Sequence, residues 1–421
     1  MTARLRAALV GVAIVHLCLL FAWGSPTPIY DEAGYVTAGE EVARWIRCTA
    51  RTAEACDGAS ARSLGRLAWH NPGYSALFPV AALLPGGTAF WIRLLQVLAG
   101  LIAGAATFTL LRRWTAEPVA LAAAAVVWLH PVQLFFRLTL WPVALATALA
   151  AVTAVSVARL AERPSSDRRQ RQLGLVLVGL VLVWPMALAV VPFLGVWLLR
   201  LGVARRVLIP LAVVWLPLAL CASLVLERPT AMDLAAPENT ALGNNPWITP
   251  GRGSALHDRP AVQRLRFEAD RGCPQEAGLP QLRCRAARYD AIAAETVRQD
   301  PGAAIVRAGL RLVETWRPDD FVGRHLADER LDGHVSAAAR SFVVTLVALA
   351  EILTLLAVLL ALVGAARDRR AALLIGAAAL VTSPALLSVG LTRLRQPALP
   401  WIVAAIVLVM LGSKRAYTPR R

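Results

Sequence analysis

Residues 31–35 read Asp-Glu-Ala-Gly-Tyr, just after an N-terminal apolar run and Pro28. A carboxylate held where water meets lipid can take the proton from an attacking hydroxyl, and such a general base is worth about 10²–10⁴ in rate. Pro28 followed by Asp31 fits a turn entering a helix, with Asp31 near its N-cap. On that helix Val36, Val42, Ala43 and Ile46, with Trp45 beside them, form an apolar face suited to the membrane surface. Asp31 and Tyr35 fall one turn apart on a shared face. Glu32 is the neighbour that would shape the charge of Asp31, since nearby carboxylates raise one another's pKa. A bland alternative stands beside this one: Asp31 caps the helix and Glu32 favours its dipole.

A base needs a partner that takes up negative charge, and several cations qualify by position. Arg393 and Arg395 mark the outer edge of the last apolar hairpin, where a guanidinium is expensive unless it meets water, headgroups or an anion. Simple snorkelling would also place them there. His70, in Trp69-His70-Asn71-Pro72, closes the first outer loop, and Arg93 and Arg137 sit near membrane ends. Asn244, Asn245 and Trp247 could hold a sugar by amide hydrogen bonds and indole stacking, although Gly-Asn-Asn-Pro is equally good turn chemistry. His16 and His130 lie in apolar segments and read as packed, and Glu351 within a span calls for an Arg that spacing does not name. No carboxylate cluster demands a metal, so no metal ligands and no required cofactor are expected; a divalent cation is compatible but not indicated.

The elements that must position these groups follow from composition. Of 421 residues, 57% are hydrophobic and only 17% charged, with a mean hydropathy of +0.57. A soluble chain carries about 25% charged residues. Apolar runs of the length needed to cross roughly 30 Å of hydrocarbon recur along the sequence. These features exclude an ordinary soluble enzyme, a disordered chain and a disulfide mini-scaffold, and predict an all-α polytopic membrane protein. The net charge of +17 points to lipid orientation rather than nucleic acid. Residues 24–73 hold five Arg against six acids, and 227–338 hold 15 Arg against 16 acids, so both long loops are near neutral. The surplus flanks apolar runs: Arg4 and Arg6, Arg112 and Arg113, Arg159 to Arg171, Arg200 to Arg206, Arg367 to Arg370, and Lys414 to Arg421. Those are positive-inside signals, whereas a nucleic-acid footprint clusters on one folded face.

Placing every basic flank in the cytoplasm divides the chain as follows. Residues 1–23 form the first transmembrane helix, read as a retained signal anchor. Residues 24–89 make an extracytoplasmic catalytic loop with juxtamembrane helices and a short re-entrant segment at 74–85. Residues 90–226 form a transmembrane bundle, in which 173–199 dips in and returns around Trp184-Pro185. An extracytoplasmic loop domain over 227–338 precedes the C-terminal transmembrane helices at 339–412 and a cytoplasmic tail at 413–421. Both termini are then cytoplasmic. The cysteines agree with that sidedness: Cys48 and Cys56, and Cys273 and Cys284, fall as close pairs in the two outer loops. Local disulfides in an oxidising compartment explain the pattern; a four-Cys zinc site would need tighter spacings.

The order of these motifs resembles the GT-C superfamily of polyprenyl-phosphate-sugar-dependent glycosyltransferases, in particular the protein O-mannosyltransferase and aminoarabinose transferase families. The resemblance runs loosely over residues 5–400 and is specific at Asp31-Glu32-x-x-Tyr35 and around His70. Two positions depart from the pattern: a Lys/His-Pro-Pro element reads His70-Asn71-Pro72 here, and Leu140-Trp141-Pro142 stands where many relatives carry a Glu. What the resemblance implies is a GT-C-like helix bundle with a mainly helical outer domain, acting at the extracytoplasmic face. The Ala/Arg-rich, Lys-poor composition, that of a GC-rich bacterial gene, makes the membrane the plasma (inner) one. Asp31 and Glu32 would be catalytic, and Tyr35, His70, Arg93, Arg137, Asn244, Asn245, Trp247, Arg393 and Arg395 would bind substrate. The partners would be a polyprenyl-phosphate-linked sugar, an acceptor glycan, lipid or protein, and the bilayer. A transporter or flippase for lipid-linked sugars, and a non-catalytic subunit of envelope glycan assembly, are the rival classes. The flippase predicts inverted repeats and midplane charge pairs, and neither is detectable in the sequence.

Overall fold

A computed structural model describes residues 2–23, 28, 31–51, 71–230, 234–255, 258–275, 278–318, 322, 336–389 and 392–411. Among these the chain is helical and has no strands. In order the helices are α1 (Ala3–Trp23), α2 (Asp31–Arg51), α3 (Pro72–Ser75), α4 (Leu77–Leu83), α5 (Thr88–Leu111), α6 (Glu117–Leu129), α7 (Pro131–Leu138), α8 (Val143–Glu162) and α9 (Asp167–Val183). After a 3₁₀ turn at Pro185–Val190 come α10 (Val191–Arg200), α11 (Ala204–Leu226), α12 (Ala236–Gly243), α13 (Arg259–Asp270), α14 (Leu279–Gln299) and α15 (Pro301–Trp316). The last are α16 (Ala337–Ala365), α17 (Arg369–Thr382), 3₁₀ turns at Ser383–Leu386 and Thr392–Ala398, and α18 (Leu399–Met410).

Seven of the described helical segments are long and apolar enough to cross a membrane, and an eighth span results if the bent pair α6–α7 counts as one. The coarse architecture is therefore that of an all-α, polytopic membrane protein. The apolar run over 116–136, which by itself reads as one span, is broken by 50° at His130-Pro131. Proline has no N–H to close the turn, so the carbonyl of Val127 loses its helical donor. Arg137, on the far side of the bend, donates to Val127 O at 2.8 Å and also to Trp128 O and the His16 ring of α1. The break is thus satisfied internally, as backbone inside a membrane must be.

Close helix approach comes from small residues. Gly100 and Gly104 stand one turn apart on α5, in the small-xxx-small spacing that lets backbones meet. A Cβ at Gly100 would run into the Arg137 guanidinium, and one at Gly104 into the Trp128 indole. Gly104→Ala is expected to lower stability by about 1–3 kcal/mol through overpacking. Gly376→Ala is the control, because a Cβ there meets nothing within 4 Å. Thermal unfolding in detergent reads both.

The segment 167–200 runs away from and back to one end of the bundle, with Trp184 buried at its tip: Leu160, Leu173, Leu198, Val203 and Val207 pack in a single cluster. The basic flanks gather at that same end. There Arg113 and Arg169 meet Glu162, Arg206 meets Asp167, and Arg370 lies 5.4 Å over the Trp114 ring. Cys273 and Cys284 of the 227–338 segment are joined, with Cα atoms 5.7 Å apart. Cys48 is also disulfide-bonded, and Cys56 lies outside the described residues. Breaking the first bridge with Cys273→Ser is expected to lose about 2–4 kcal/mol, read as faster trypsin cleavage between α13 and α14. Asp258 caps α13; the Thr249 hydroxyl first, then the Ala261 N–H, hold its carboxyl below the usual range.

Candidate functional site

The acid pair opens α2 as the sequence predicts, but its two members part company. Asp31 and Glu32 are both in the first turn, where the helix dipole favours negative charge. Glu32 is fully buried, and its Oε1 accepts the N–H of Leu140 at 2.7 Å. Asp31 stays 40% exposed and lies 3.8 Å from the Arg393 guanidinium, 362 residues further along the chain. That guanidinium sits 5.8 Å from the centre of the Trp141 ring. So Glu32 fixes the Leu140-Trp141 backbone, Trp141 supports Arg393, and Arg393 faces Asp31. The construction leaves one carboxylate and one guanidinium side by side and partly open to solvent.

Tyr35 is buried, as Glu32 is, whereas Asp31 one turn before it stays partly open. The Tyr35 ring is stacked on Phe78 with ring centres 5.2 Å apart and edge-on to Tyr74 at 5.8 Å. The reason is the pairing of α2 with α4: Gly39 lies flush against Phe78, where any Cβ would collide with backbone and side chain alike. Tyr35 therefore packs, and the expected polar face of Asp31 and Tyr35 does not form. Below this cluster Gln96 of α5 ties three elements together. Its Nε2 donates to the Tyr74 hydroxyl at 3.1 Å and to Trp141 O, and its Oε1 accepts from Leu145 N at 3.2 Å. Arg93, one turn away on α5, is buried and near enough to act on the Tyr74 phenol, as are Tyr35 and Glu32. His70 lies outside the described residues, whereas Asn71 next to it starts α3 in a left-handed conformation, φ 38°.

Arg395 points the other way from Arg393. It is 2% exposed, paired with Glu351 of α16, and donates to the carbonyls of Thr315 at 2.9 Å and Arg317 at 2.7 Å. Gln396 donates to Glu351 at 3.0 Å, and His130 comes within 3.9 Å of the same carboxylate. The partner that spacing could not name for Glu351 is thus Arg395, and the guanidinium expected at a substrate is committed to the interior. Arg137 is similarly committed to the α6–α7 bend. Asn244 donates to Thr240 O and, at 3.3 Å, to Leu387 O. Asn245 donates to Ala241 O at 2.8 Å and accepts from Trp247 N at 3.1 Å. Both amides bond backbone, which is the turn chemistry, and the Trp247 ring carries Arg264 at 5.4 Å.

Of the residues singled out in the sequence, the fold brings Asp31, Glu32, Tyr35, Arg93 and Arg393 into one neighbourhood; Arg137, Arg395, Asn244, Asn245 and Trp247 are held elsewhere. Reasoning from sequence missed Gln96 and Trp141. A lone Gln in an apolar run was the available signal for the first, since a buried amide needs partners. Among the described residues no group of three or more His, Cys, Asp or Glu could hold a metal ion. Compared with family profiles, with curated proteins and with solved structures, the chain matches none.

Proposed function

We propose that this chain is an integral membrane glycosyltransferase. It moves a sugar from a polyprenyl-phosphate donor to a hydroxyl of an extracytoplasmic glycan, lipid or protein. The observation that carries the reading is the Asp31–Arg393 pair, partly open, beside Trp141 and at the end of the bundle away from the basic clusters. By the positive-inside rule that end is extracytoplasmic.

The chemistry assigns each group a task. The acceptor oxygen forms a bond to the anomeric carbon while the carbon–oxygen bond to phosphate breaks, with inversion at that carbon. Asp31 takes the hydroxyl proton; the electron pair of the broken bond leaves on the lipid phosphate, where Arg393 neutralises the added charge. Without substrate the two groups neutralise each other. An arriving phosphate competes for Arg393 and frees Asp31 to act as base, so donor binding switches the base on. Glu32, Gln96 and Tyr35 hold α2 and the Leu140-Trp141 backbone in register, and the 227–338 domain selects the acceptor.

One observation favours the flippase reading: the Glu351–Arg395 pair is the kind of charge inside a span that translocators use. Its neighbours argue against that role, because Gln396 and two backbone carbonyls occupy the same groups. The test is to give purified protein in liposomes a panel of radiolabelled polyprenyl-phosphate sugars with and without acceptor extracts. Release of free polyprenyl phosphate is expected; label crossing the bilayer with the glycosyl bond intact would assign the flippase instead.

A further inference from the structure

Helix α15 is amphipathic in the reverse sense of a helix in water. Its buried residues are Arg311, Glu314 and Thr315. Arg311 reaches the carbonyls of Leu386 at 3.2 Å, Gly253 at 3.1 Å and Gly243, and Glu314 accepts from Gly253 N at 2.9 Å. Two glycines permit that approach: a Cβ at Gly243 would strike Ser388 O, and one at Gly253 the Arg311 backbone. The opposite face shows Ile305 74% exposed, Val306 61% and Val313 63%, with Leu312 on the same stripe. Ile305 and Leu312, like Val306 and Val313, are two helical turns apart, and exposed Gly309 lies three or four residues from each of the four, so they share one stripe. Such a surface in water has no compensation, because the polar side of the helix is already buried.

Depth supplies the second observation. The Arg367–Arg370 cluster marks one membrane boundary just past α16, and about 20 residues cross the hydrocarbon. Counting back from Gly364 puts the other boundary near Thr345, so Glu351 lies roughly 9 Å inside it at 1.5 Å per residue. Arg395 bridges Glu351 to the carbonyls of Thr315 and Arg317, which brings the end of α15 down to that level. The bundle surface that α15 is held against is apolar too: Leu387, adjoining the Leu386 carbonyl that Arg311 holds, is 73% exposed.

We propose that α15 is a membrane-inserted interfacial helix, with Ile305, Val306, Leu312 and Val313 lying among the acyl chains of the leaflet opposite the basic clusters. Its partner is the lipid bilayer itself. Arg298, in the last turn of α14 just before the helix, stands where headgroups would be met. The loop domain of 227–338 is thus seated in lipid through α15 instead of standing clear of it, and the seat is independent of any glycosyl transfer.

The test uses full-length protein with Cys18→Ser and Cys221→Ser, the two free cysteines among the described residues. Single cysteines replace Ile305, Val306 or Val313 in turn, with Glu295→Cys on exposed α14 as the reference; each carries a bimane label. Reconstitution is into phosphatidylcholine vesicles with or without brominated acyl chains. Loss of fluorescence with brominated lipid, and protection from aqueous iodide, are expected at all three α15 positions, with the reverse at position 295. Iodide quenching at the α15 positions would overturn the proposal by showing them in water. Protection from both quenchers would overturn it equally, by showing the stripe covered by protein, such as a second copy.

Discussion

Asp31→Asn is expected to lower the rate of glycosyl transfer by about 10²–10⁴ while leaving membrane insertion and donor binding in place, because it removes the proton acceptor and little volume. The readout is release of free polyprenyl phosphate from labelled donor. Arg393→Gln should lose about 3–4 kcal/mol of transition-state stabilisation, the scale of one fixed donor to a developing anion. Arg393→Lys should recover part of it, since the charge remains while the fork that faces both Asp31 and the Trp141 ring is lost. The pair makes a sharper statement than either change alone. If Arg393 restrains Asp31 until phosphate arrives, Arg393→Gln raises the donor KM as well as lowering kcat, whereas Asp31→Asn lowers kcat with little rise in KM. Equal effects on both parameters from both variants would leave the two residues as a structural ion pair and remove the proposed base.

The second large effect concerns stability. Glu351→Gln is expected to destabilise the protein by about 3–5 kcal/mol, because Arg395 then holds an uncompensated charge inside the bundle. Arg395 cannot swing to water: it is 2% exposed and tied to Thr315 O and Arg317 O. Arg395→Met should be at least as damaging, since it strands the Glu351 carboxylate and the carbonyls of Thr315 and Arg317 together. Replacing both, Glu351→Leu with Arg395→Met, should recover a substantial part of the loss, as buried ion pairs commonly tolerate exchange for apolar residues. Midpoints of thermal unfolding in one detergent, compared as a double-mutant cycle, measure this coupling. Additive losses would mean that the two side chains do not act as a pair.

The residues that became the site were visible in very different degrees. Asp31 and Glu32 stood out because acids following Pro28 and preceding an apolar face are a local signal. Their division of labour was hidden: which of the two is buried depends on α2 lying on α4, and that rests on Gly39 meeting Phe78. Arg393 and Arg395 looked alike, two guanidinia two residues apart. In the 3₁₀ turn at Thr392–Ala398 they face opposite ways, one to Asp31 and one to Glu351. The polar Gly243-Asn244-Asn245 stretch could be read as sugar-binding or as a turn. The local partners Thr240 O, Ala241 O and Trp247 N make it a turn, and Leu387 O, 143 residues away, adds a contact with no local signal. The run 116–136 reads as one span; neither its bend at Pro131 nor the Arg137 that closes it was legible there.

Hydropathy and charge, both properties of short windows, were enough to determine that this chain is helical and crosses a membrane many times. They also located the long polar segments and the cysteine pair that Cys273 and Cys284 make. A span must satisfy its own backbone within one helix, so its signal is complete in about twenty consecutive residues. Contacts between distant residues carry no such local signature. The meeting of Asp31 with Arg393, the commitment of Arg395 to Glu351 and the outward apolar face of α15 each depend on which helices pack together. Only the tertiary structure could decide them, because the energy that selects one neighbour over another lies in the fit between surfaces that sequence order keeps apart.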